Sequence, residues 1–342
     1  MSRKNLSVKI KIPKLLNSKL KNRRISKIYK KFEKTLDINE NFIVAVSGGP
    51  DSLALAFLCK IYAVKKRLVS KFFIVDHKLR NNSTKEAKLV KKILNKLSIK
   101  TEILTWHGKK PLKNIQAAAR KKRYELLLDK SKKLKIDNLI LGHHLDDLFE
   151  NFFIRIIRGS GLKGLISLNK QSKINEINLF RPLLNQKKDE LIFLSKYVYN
   201  FFVEDPSNKD EKYLRIKIRN LLKELQNNGL DKKKFLLTIN NLKYSDEVIK
   251  FYLKENIKKN VYFSKNKNQI FINNDFFQQP EEIIFRSFSD LINKIGKKYY
   301  AVRGKKLDRI IKKIKSNDMS KLTIGGCIIE KVNQSVILSK EH

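Results

Sequence analysis

One short segment constrains the fold of this chain more than any other. It reads Ser-Gly-Gly-Pro-Asp-Ser at residues 47–52, directly after an apolar run at 42–46 and directly before an apolar helical pattern. A strand, turn and helix in this order direct several backbone N–H groups and the positive end of a helix dipole at one point. The two glycines allow a sharp bend and the close approach of an anion, and the two serines add hydroxyl donors. The segment therefore predicts a phosphate-binding turn at the end of a strand.

Strands and helices alternate from residue 42 to about 205. The predicted strands are 42–46, 72–76, 101–106, 137–141, 178–181 and 201–204, and the predicted helices are 52–66, 84–97, 114–135, 145–158 and 187–199. This alternation predicts an α/β fold with a doubly wound, mainly parallel sheet. Such sheets bind ligands at the carboxyl ends of their strands, where the phosphate turn lies.

The rest of the chain has a different pattern. After a predicted helix at 211–225, the sequence predicts helices at 242–258, 276–294 and 305–316 and hairpins at 261–272 and 322–339. This region has α+β character and lacks a cluster of catalytic residue types, so its predicted role is binding. The predicted organisation is a basic, mobile N-terminus at 1–24, a catalytic domain at 25–225 and a smaller α+β region at 226–342.

The charge balance identifies the class of partner. The chain has 76 basic and 33 acidic residues, a net charge of +43, which favours nucleic acid because each neutralised phosphate releases counterions. Lysine, asparagine and isoleucine are plentiful throughout, so part of this charge reflects overall composition. The charge is spread along the chain rather than concentrated in one amphipathic helix, and no apolar run is long enough to span a membrane. The two cysteines are isolated, which is typical of a reducing cytoplasm.

A second candidate site lies at 141–151, where a predicted strand ends and a helix begins. Asp146 and Asp147 fall in the first helical turn, and Glu150 lies one turn later, so the carboxylates can converge. Oxygen ligands at a nucleotide site suit Mg²⁺. His143 and His144 are candidates for orienting phosphates or moving protons. Zinc is less favoured because a third strong ligand is not close in sequence.

Three further segments are weak signals when taken singly. Arg120 and Arg123 share one helical face and suit phosphate contacts. A glycine-rich loop occupies 158–165. The turn at 205–208 precedes a basic helix that carries Arg215.

Taken in order, these segments resemble the tRNA(Ile)-lysidine synthases, a family of ATP pyrophosphatases. The matching segments are 47–52, 75–80, 119–124, 141–151, 158–165, 181–184 and 205–208. The resemblance covers residues 42–225 closely, and 323–327 resembles the end of shorter members. Two departures stand out. The family usually has Arg-Asn-Arg-x-Arg where this chain has Arg-Ile-Lys-Ile-Arg at 215–219, and Lys78 replaces a usual glycine.

The resemblance implies a reaction and a set of site residues. ATP would adenylate the wobble cytidine of a CAU anticodon, and the amine of lysine would then expel AMP to give lysidine. The ATP phosphates and a Mg²⁺ ion would bind the turn made of Ser47, Gly48, Gly49, Pro50, Asp51 and Ser52, together with His143. Arg120 would contact the adenylate, and Asp51 and Asp147 would hold the metal. Asp146, Asp147 and Glu150 would handle the metal and the lysine amine, and the reaction chamber would be lined by Asp205, Ser207, Asn208 and Arg215.

Two other functions stay open at this point. One is another tRNA-modifying ATP pyrophosphatase of the thiolase type, which the small number of cysteines disfavours. The other is a catalytically silent RNA-binding protein, which the intact phosphate turn and carboxylate cluster disfavour. The sequence does not distinguish a monomer from a homodimer.

Overall fold

The structure is a computed structural model of the chain. It describes residues 12–80, 82–108, 115–204, 212–264, 269–297, 302, 304–319 and 321–341, except for the side chain of residue 116. The chain divides into two compact units, Met1–Leu230 and Asp231–His342. Among the helices in these residues, none combines the length and the apolar character needed to cross a bilayer.

The first unit opens with two helices, α1 (Lys14–Leu20) and α2 (Arg23–Thr35). Helix α1 lies in the segment 1–24 that the sequence predicted to be mobile. The side chain of Leu16 has no exposed surface, and burying such a side chain anchors α1 to the domain. The side chain of Asn22 caps α2 by accepting the backbone N–H groups of Arg24 and Ile25.

The first unit is built on a six-stranded sheet, as the alternation predicted. Its strands are β1 (Phe42–Val46), β2 (Ser70–Asp76), β3 (Thr101–Thr105), β4 (Asn138–Ile140), β5 (Gln171–Ile174) and β6 (Ile177–Phe180). The order is β3-β2-β1-β4-β6-β5, and every neighbouring pair is parallel except β5 and β6. The chain therefore winds outward from β1 in both directions, which creates a topological switch point between β1 and β4.

Two predictions at the edges of this sheet need correction. Strand β6 falls at the predicted strand 178–181, but its antiparallel partner β5 was not predicted, because β5 is short and polar on its exposed side. Residues 201–204 were predicted to form a strand, but they form an irregular segment. Val203 contributes one backbone hydrogen bond to Gly48, at 3.0 Å, so the segment supports the phosphate turn instead of extending the sheet.

Helices cover both faces of the sheet. They are α3 (Pro50–Lys66), α4 (Ser83–Lys96), α5 (Ile115–Leu134), α6 (Leu145–Ile157), α7 (Leu162–Leu165), α8 (Lys188–Tyr199) and α9 (Leu214–Asn227). Helix α3 is buried along most of its length, in keeping with its nearly continuous apolar sequence. Its central position fixes the phosphate turn that precedes it.

The second unit has its own core. It contains α10 (Lys232–Asn260), β7 (Val261–Phe263), β8 (Gln269–Ile272), a 3₁₀ helix (Asn274–Gln278), α11 (Glu281–Gly296), α12 (Gly304–Lys315), β9 (Lys321–Ile324), β10 (Cys327–Val332) and β11 (Ser335–Lys340). The strands form an antiparallel sheet in the order β7-β8-β11-β10-β9. A buried ion pair between Arg286 and Asp246 joins α10 to α11.

The structure extends the predicted elements of this unit in two places. Helix α10 begins at Lys232 rather than at 242, and Asp231 caps it by accepting the backbone N–H groups of Lys233 and Lys234. The segment predicted as one hairpin at 322–339 contains three strands. Gly325 and Gly326 have positive φ angles and form the additional turn between β9 and β10.

Candidate active site

The phosphate turn is closed by a single hydroxyl group. Oγ of Ser52 accepts the backbone N–H groups of Ser47, at 3.1 Å, and Gly48, at 3.0 Å. The same hydroxyl donates to the carbonyl oxygen of Gly49 at 2.9 Å. Ser52 is buried, and its hydroxyl shapes the turn in this structure; its contact with phosphate stays a prediction. Pro50 is the first residue of α3, where its fixed φ and missing N–H suit a helix start.

Gly48 and Gly49 serve the turn in different ways. Gly48 has a φ of +89°, and a Cβ there would lie 2.7 Å from Cγ2 of Val90. Gly49 caps α3 with an extended backbone, and the nearest atom to a Cβ there would be Oγ of Ser47 at 3.9 Å. The fold therefore requires glycine at position 48, whereas position 49 has open space that a ligand can approach.

The turn opens onto a cavity of about 820 Å³. The cavity lies at the carboxyl ends of β1, β2 and β4, at the switch point of the sheet, and it is also lined by residues of α5 and α9. Predicted site residues on its walls are Ser47, Gly49, Asp51, Ser52, Arg120, His143 and Arg215. The volume falls within the range typical of pockets for small molecules and cofactors.

The phosphate turn and the second candidate site at 141–151 are linked by His144. This buried side chain caps α6, and its Nδ1 accepts the backbone N–H of Asp146 at 3.2 Å. The neutral ring therefore carries its proton on Nε2, which lies 3.5 Å from Oδ2 of Asp51 and 3.5 Å from Oδ2 of Asp147. Burial lowers the pKa of His144, but the adjacent carboxylates outweigh this effect and raise it. His144 thus links the phosphate turn to the start of α6.

The carboxylates of α6 are held by arginines of α9. Nη2 of Arg215 lies 2.6 Å from Oδ1 of Asp147, and its Nε lies 2.5 Å from Oε2 of Glu150. Nε of Arg219 lies 2.6 Å from Oε1 of Glu150. Burial raises the pKa of Asp147, but His144 and Arg215 outweigh it and lower the pKa to about 2. Both oxygens of the buried Glu150 therefore accept from guanidinium groups whose side chains are themselves partly exposed.

Two histidines near the cavity are held in the neutral form. Burial, reinforced by neighbouring arginines, lowers the pKa of His143 to about 3 even though Asp147 opposes the shift. Burial and the charge of Arg123 lower the pKa of His77 to about 4. Nε of Arg123 lies 3.3 Å from Nε2 of His77 and donates to it. Both rings are therefore hydrogen-bonding groups rather than cations near neutral pH.

The structure describes some of the remaining predicted site residues and not others. Arg120 is exposed on α5, lines the cavity and lies with its guanidinium carbon 5.5 Å from the ring centre of Tyr124. Asp205, Ser207 and Asn208 lie outside the described residues. The partly buried Asp146 is the second residue of α6, and its backbone N–H donates to Nδ1 of His144.

Two residues that fall in the segments compared above, but to which the sequence assigned no role, are brought to the cavity by the structure. Arg219 and His77 both line it, and each has a defined polar partner, Glu150 and Arg123 respectively. A signal for Arg219 exists, because Arg215 and Arg219 lie one helical turn apart on a helix that packs on α6. The pairing of His77 with Arg123 depends on two distant segments and has no local signal.

Of the two predicted magnesium ligands, Asp51 and Asp147, only Asp51 has an oxygen that fits this role well. Oδ1 of Asp51 is buried, lacks a hydrogen-bond partner among the described residues and belongs to a side chain on the cavity wall. Asp147 fits less well, because Arg215 and the backbone N–H of His144 already engage its oxygens. The described residues contain no group of three His, Cys, Asp or Glu placed to enclose a metal. Asp51 with substrate phosphates is an arrangement typical of Mg²⁺.

Comparison with known proteins agrees with this geometry. A family model for the PP-loop domain matches residues 17–225. The tRNA(Ile)-lysidine synthase of Wolbachia pipientis wMel is 36% identical over 309 residues, which cover 89% of this chain and 71% of that protein. The chain belongs to the tRNA(Ile)-lysidine synthase family.

Other lysidine synthases match over a similar span. The enzyme of Orientia tsutsugamushi (strain Boryong) is 36% identical over 318 residues, covering 89% of this chain and 70% of the relative. The enzyme of Rickettsia felis is 31% identical over 330 residues, which cover 92% of this chain and 74% of the relative. Among solved structures, a U34-tRNA thiolase from Methanococcus maripaludis superposes with a TM-score of 0.55 at 20% identity, covering 66% of this chain and 79% of that one. This last likeness shows that the lysidine synthase fold is shared with another tRNA-modifying enzyme.

Proposed function

We propose that this protein joins lysine to C2 of the wobble cytidine in tRNA(Ile) with a CAU anticodon. The reaction consumes ATP and releases pyrophosphate and AMP through an adenylated cytidine. One observation carries the proposal: in a member of the lysidine synthase family, the phosphate turn lines a cavity of small-molecule size, and His144 links Asp51 of that turn to Asp147 at the start of α6.

In the first step, the C2 oxygen of cytosine attacks the α-phosphorus of ATP. The bond between that phosphorus and the pyrophosphate oxygen breaks, and pyrophosphate leaves. The N-terminus of α3 and the backbone of the turn are suited to stabilise the departing negative charge, and Arg120, which lines the same cavity, is the arginine that we propose contacts the phosphate. A magnesium ion bound to Asp51 would supply further charge neutralisation on the phosphates.

In the second step, the ε-amine of lysine attacks C2 and AMP leaves with the C2 oxygen. The amine must lose a proton before it attacks, whereas the leaving phosphate departs as an anion and needs none. Asp147 and Glu150 are the carboxylates on α6 suited to orient an ammonium group. Because Arg215 engages both of them, lysine would have to displace or reposition this arginine to reach them.

The cytidine must also leave the stack of the anticodon loop to reach the cavity. Unpaired loop bases are more accessible to proteins than bases in a duplex, and extrusion costs least for a base that is already unpaired. Nδ1 of His143 is buried and lacks a partner among the described residues. Because burial and neighbouring arginines keep this imidazole neutral, it is suited to form a hydrogen bond with a substrate.

The second unit supports a role in tRNA binding. Helix α10 has one face with large apolar side chains that are 55–65% exposed, namely Leu237, Tyr244, Val248, Phe251 and Tyr252. The helix also carries lysines at 232–234, 254 and 258–259. Exposed aromatic rings beside lysines are typical of surfaces that stack unpaired bases and neutralise phosphates. We name this the α10 face.

The thiolase-type alternative receives little support from the residues. The chain has only two cysteines, both buried and neither in a disulfide, and they lie in different units. An iron–sulfur cluster held by cysteines requires more thiolates than this. The buried thiols also suit the reducing cytoplasm that we propose as the location of the protein.

The proposed function is tested by lysine transfer. Purified protein is incubated with ATP, Mg²⁺ and labelled lysine, in parallel with transcripts of tRNA(Ile) with a CAU anticodon and of the methionine tRNA with the same anticodon. We expect label in the anticodon nucleotide of tRNA(Ile), and pyrophosphate release that requires this RNA. Absence of label with a folded, ATP-binding protein would overturn the proposal.

A further inference from the structure

A second cavity of about 300 Å³ shares a wall with the first. It lies at the carboxyl ends of β2 and β3 and is lined by His77, Lys78, Trp106, His107 and Gly108. His77 lines both this cavity and the larger one. We name the smaller cavity the Trp106 pocket.

The aromatic wall of this pocket is held firmly in place. The backbone N–H of Trp106 donates to the carbonyl oxygen of Asp76 at 2.9 Å, one residue beyond the end of β3. Gly108 lies against the indole, because a Cβ at this position would be 2.9 Å from Nε1 of Trp106. The sheet edge thus anchors the backbone of Trp106, and the missing side chain at Gly108 leaves room for the ring.

The polar side of the pocket is formed by His77, Lys78 and His107. Because Arg123 donates to Nε2 of His77, the neutral ring must carry its proton on Nδ1. This Nδ1 is buried and has no partner among the described residues. Lys78, which has a φ of +50°, adds a positive charge to the rim of the pocket, and His107 lies beside it.

An aromatic ring, polar imidazole side chains and a lysine are groups that bind a nucleobase and its phosphate. The larger cavity contains the phosphate turn and has room for ATP by itself. The smaller pocket is therefore left for another nucleotide, and the strongly basic chain favours RNA as its source.

We infer that the Trp106 pocket binds a base of the tRNA anticodon loop, stacked on Trp106, while the wobble cytidine reacts in the adjoining cavity. The inference rests on the proposed function and extends it to a specific RNA contact. Extruding one base removes stacking from its neighbours in the loop, and a second stacking surface compensates for that loss.

Intrinsic fluorescence gives a direct test, because Trp106 is the only tryptophan in the chain. The full-length protein is titrated with MgATP alone, with an anticodon stem-loop of tRNA(Ile) and with an acceptor-stem duplex as a control. We expect saturable quenching with the stem-loop only. In a parallel binding assay, Trp106→Ala should weaken binding of the stem-loop by about 5- to 100-fold, whereas Trp106→Phe should retain most of the affinity and both should bind MgATP normally.

Two results would overturn the inference. Quenching by MgATP alone, followed by no further change with RNA, would assign the pocket to adenine. Unchanged fluorescence with bound RNA, together with full affinity in Trp106→Ala, would leave Trp106 without a role in RNA binding. If Trp106→Ala does not fold, the wild-type titration and Trp106→Phe decide the question. Lysine transfer by the wild-type protein is measured separately. If lysine transfer occurs but Trp106 shows no fluorescence change and no effect on RNA binding, only this inference is refuted. If lysine transfer does not occur, the proposed function is refuted.

Discussion

Arg215 binds Asp147 through Nη2 and Oδ1 at 2.6 Å, and this ion pair joins α9 to the first turn of α6. The same guanidinium reaches Glu150, which Arg219 engages from the other side. A carboxylate with little exposed surface is stable only with such partners, because its hydration has been lost. The pair of helices therefore holds together the carboxylates that the sequence assigned to metal and lysine.

Glu150→Gln tests whether this network stabilises the fold. The substitution keeps the size of the side chain but removes the charge that Arg215 and Arg219 share, so we expect the free energy of unfolding to fall by about 3 kcal/mol. Urea denaturation measures this value. Glu247→Gln, at an exposed position of α10, is the matched control and should change stability by less than about 0.5 kcal/mol. Equal stability of the two variants would show that the network contributes little.

The two glycines of the phosphate turn should differ sharply on substitution. Gly48→Ala forces a side chain into a backbone with positive φ and against Val90, so we expect a lower melting temperature and loss of ATP binding. Gly49→Ala meets no atom closer than 3.9 Å and should fold with a nearly unchanged melting temperature. Differential scanning fluorimetry with and without MgATP compares them. A fully stable Gly48→Ala protein would contradict the strain argued for this turn.

The sequence predicts the phosphate turn and the sheet well because both depend on local patterns. Apolar strands alternating with helices specify a parallel sheet, and the residues of the turn follow β1 without interruption. The bonds of Arg215 and Arg219 to Glu150 are different, because they join residues 65 and 69 positions apart. Such partners are set by the packing of α9 on α6, which no local pattern specifies. The unpredicted β5–β6 hairpin likewise depends on an edge of the sheet being available.

Protonation of buried histidine should destabilise the protein below neutral pH. The pKa of His77 is lowered to about 4, whereas a histidine in the unfolded chain titrates near 6.5. Between these values the unfolded chain binds a proton that the folded protein does not, so His77 reduces stability progressively as pH falls from about 6.5 to 4. His77→Gln should therefore lose less stability than wild type over this interval. Urea denaturation at pH 7 and pH 5 measures the difference, and parallel losses in the two proteins would contradict the neutral, buried state of His77.

Asp51→Asn should separate nucleotide chemistry from RNA binding. The substitution keeps the size of the side chain but removes the charge that faces the phosphate turn and His144. We expect pyrophosphate release to fall by at least about 100-fold, since charge neutralisation at phosphate is a large part of such catalysis. Binding of tRNA, measured by filter retention, should change by less than about two-fold. Normal pyrophosphate release would remove Asp51 from the proposed metal site.

The α10 face should contribute to tRNA affinity but not to the chemistry of adenylation. Tyr244 and Phe251 are exposed, so Tyr244→Ser with Phe251→Ser removes two stacking surfaces without opening a cavity in the core. We expect tRNA binding to weaken by about 10-fold or more, while MgATP binding and thermal stability stay near wild type.

Salt dependence then separates stacking on this face from charge. Each phosphate contact adds about 0.7–0.9 to the slope of log affinity against log salt concentration, so the double variant should keep the wild-type slope at a lower affinity. A variant with Lys254→Ala and Lys258→Ala, on the same helix, should instead reduce the slope by about 1–2. Filter binding over a range of salt concentrations measures both variants. Wild-type affinity in both would show that tRNA does not use α10, and the role proposed for the second unit would then have to lie on another of its surfaces.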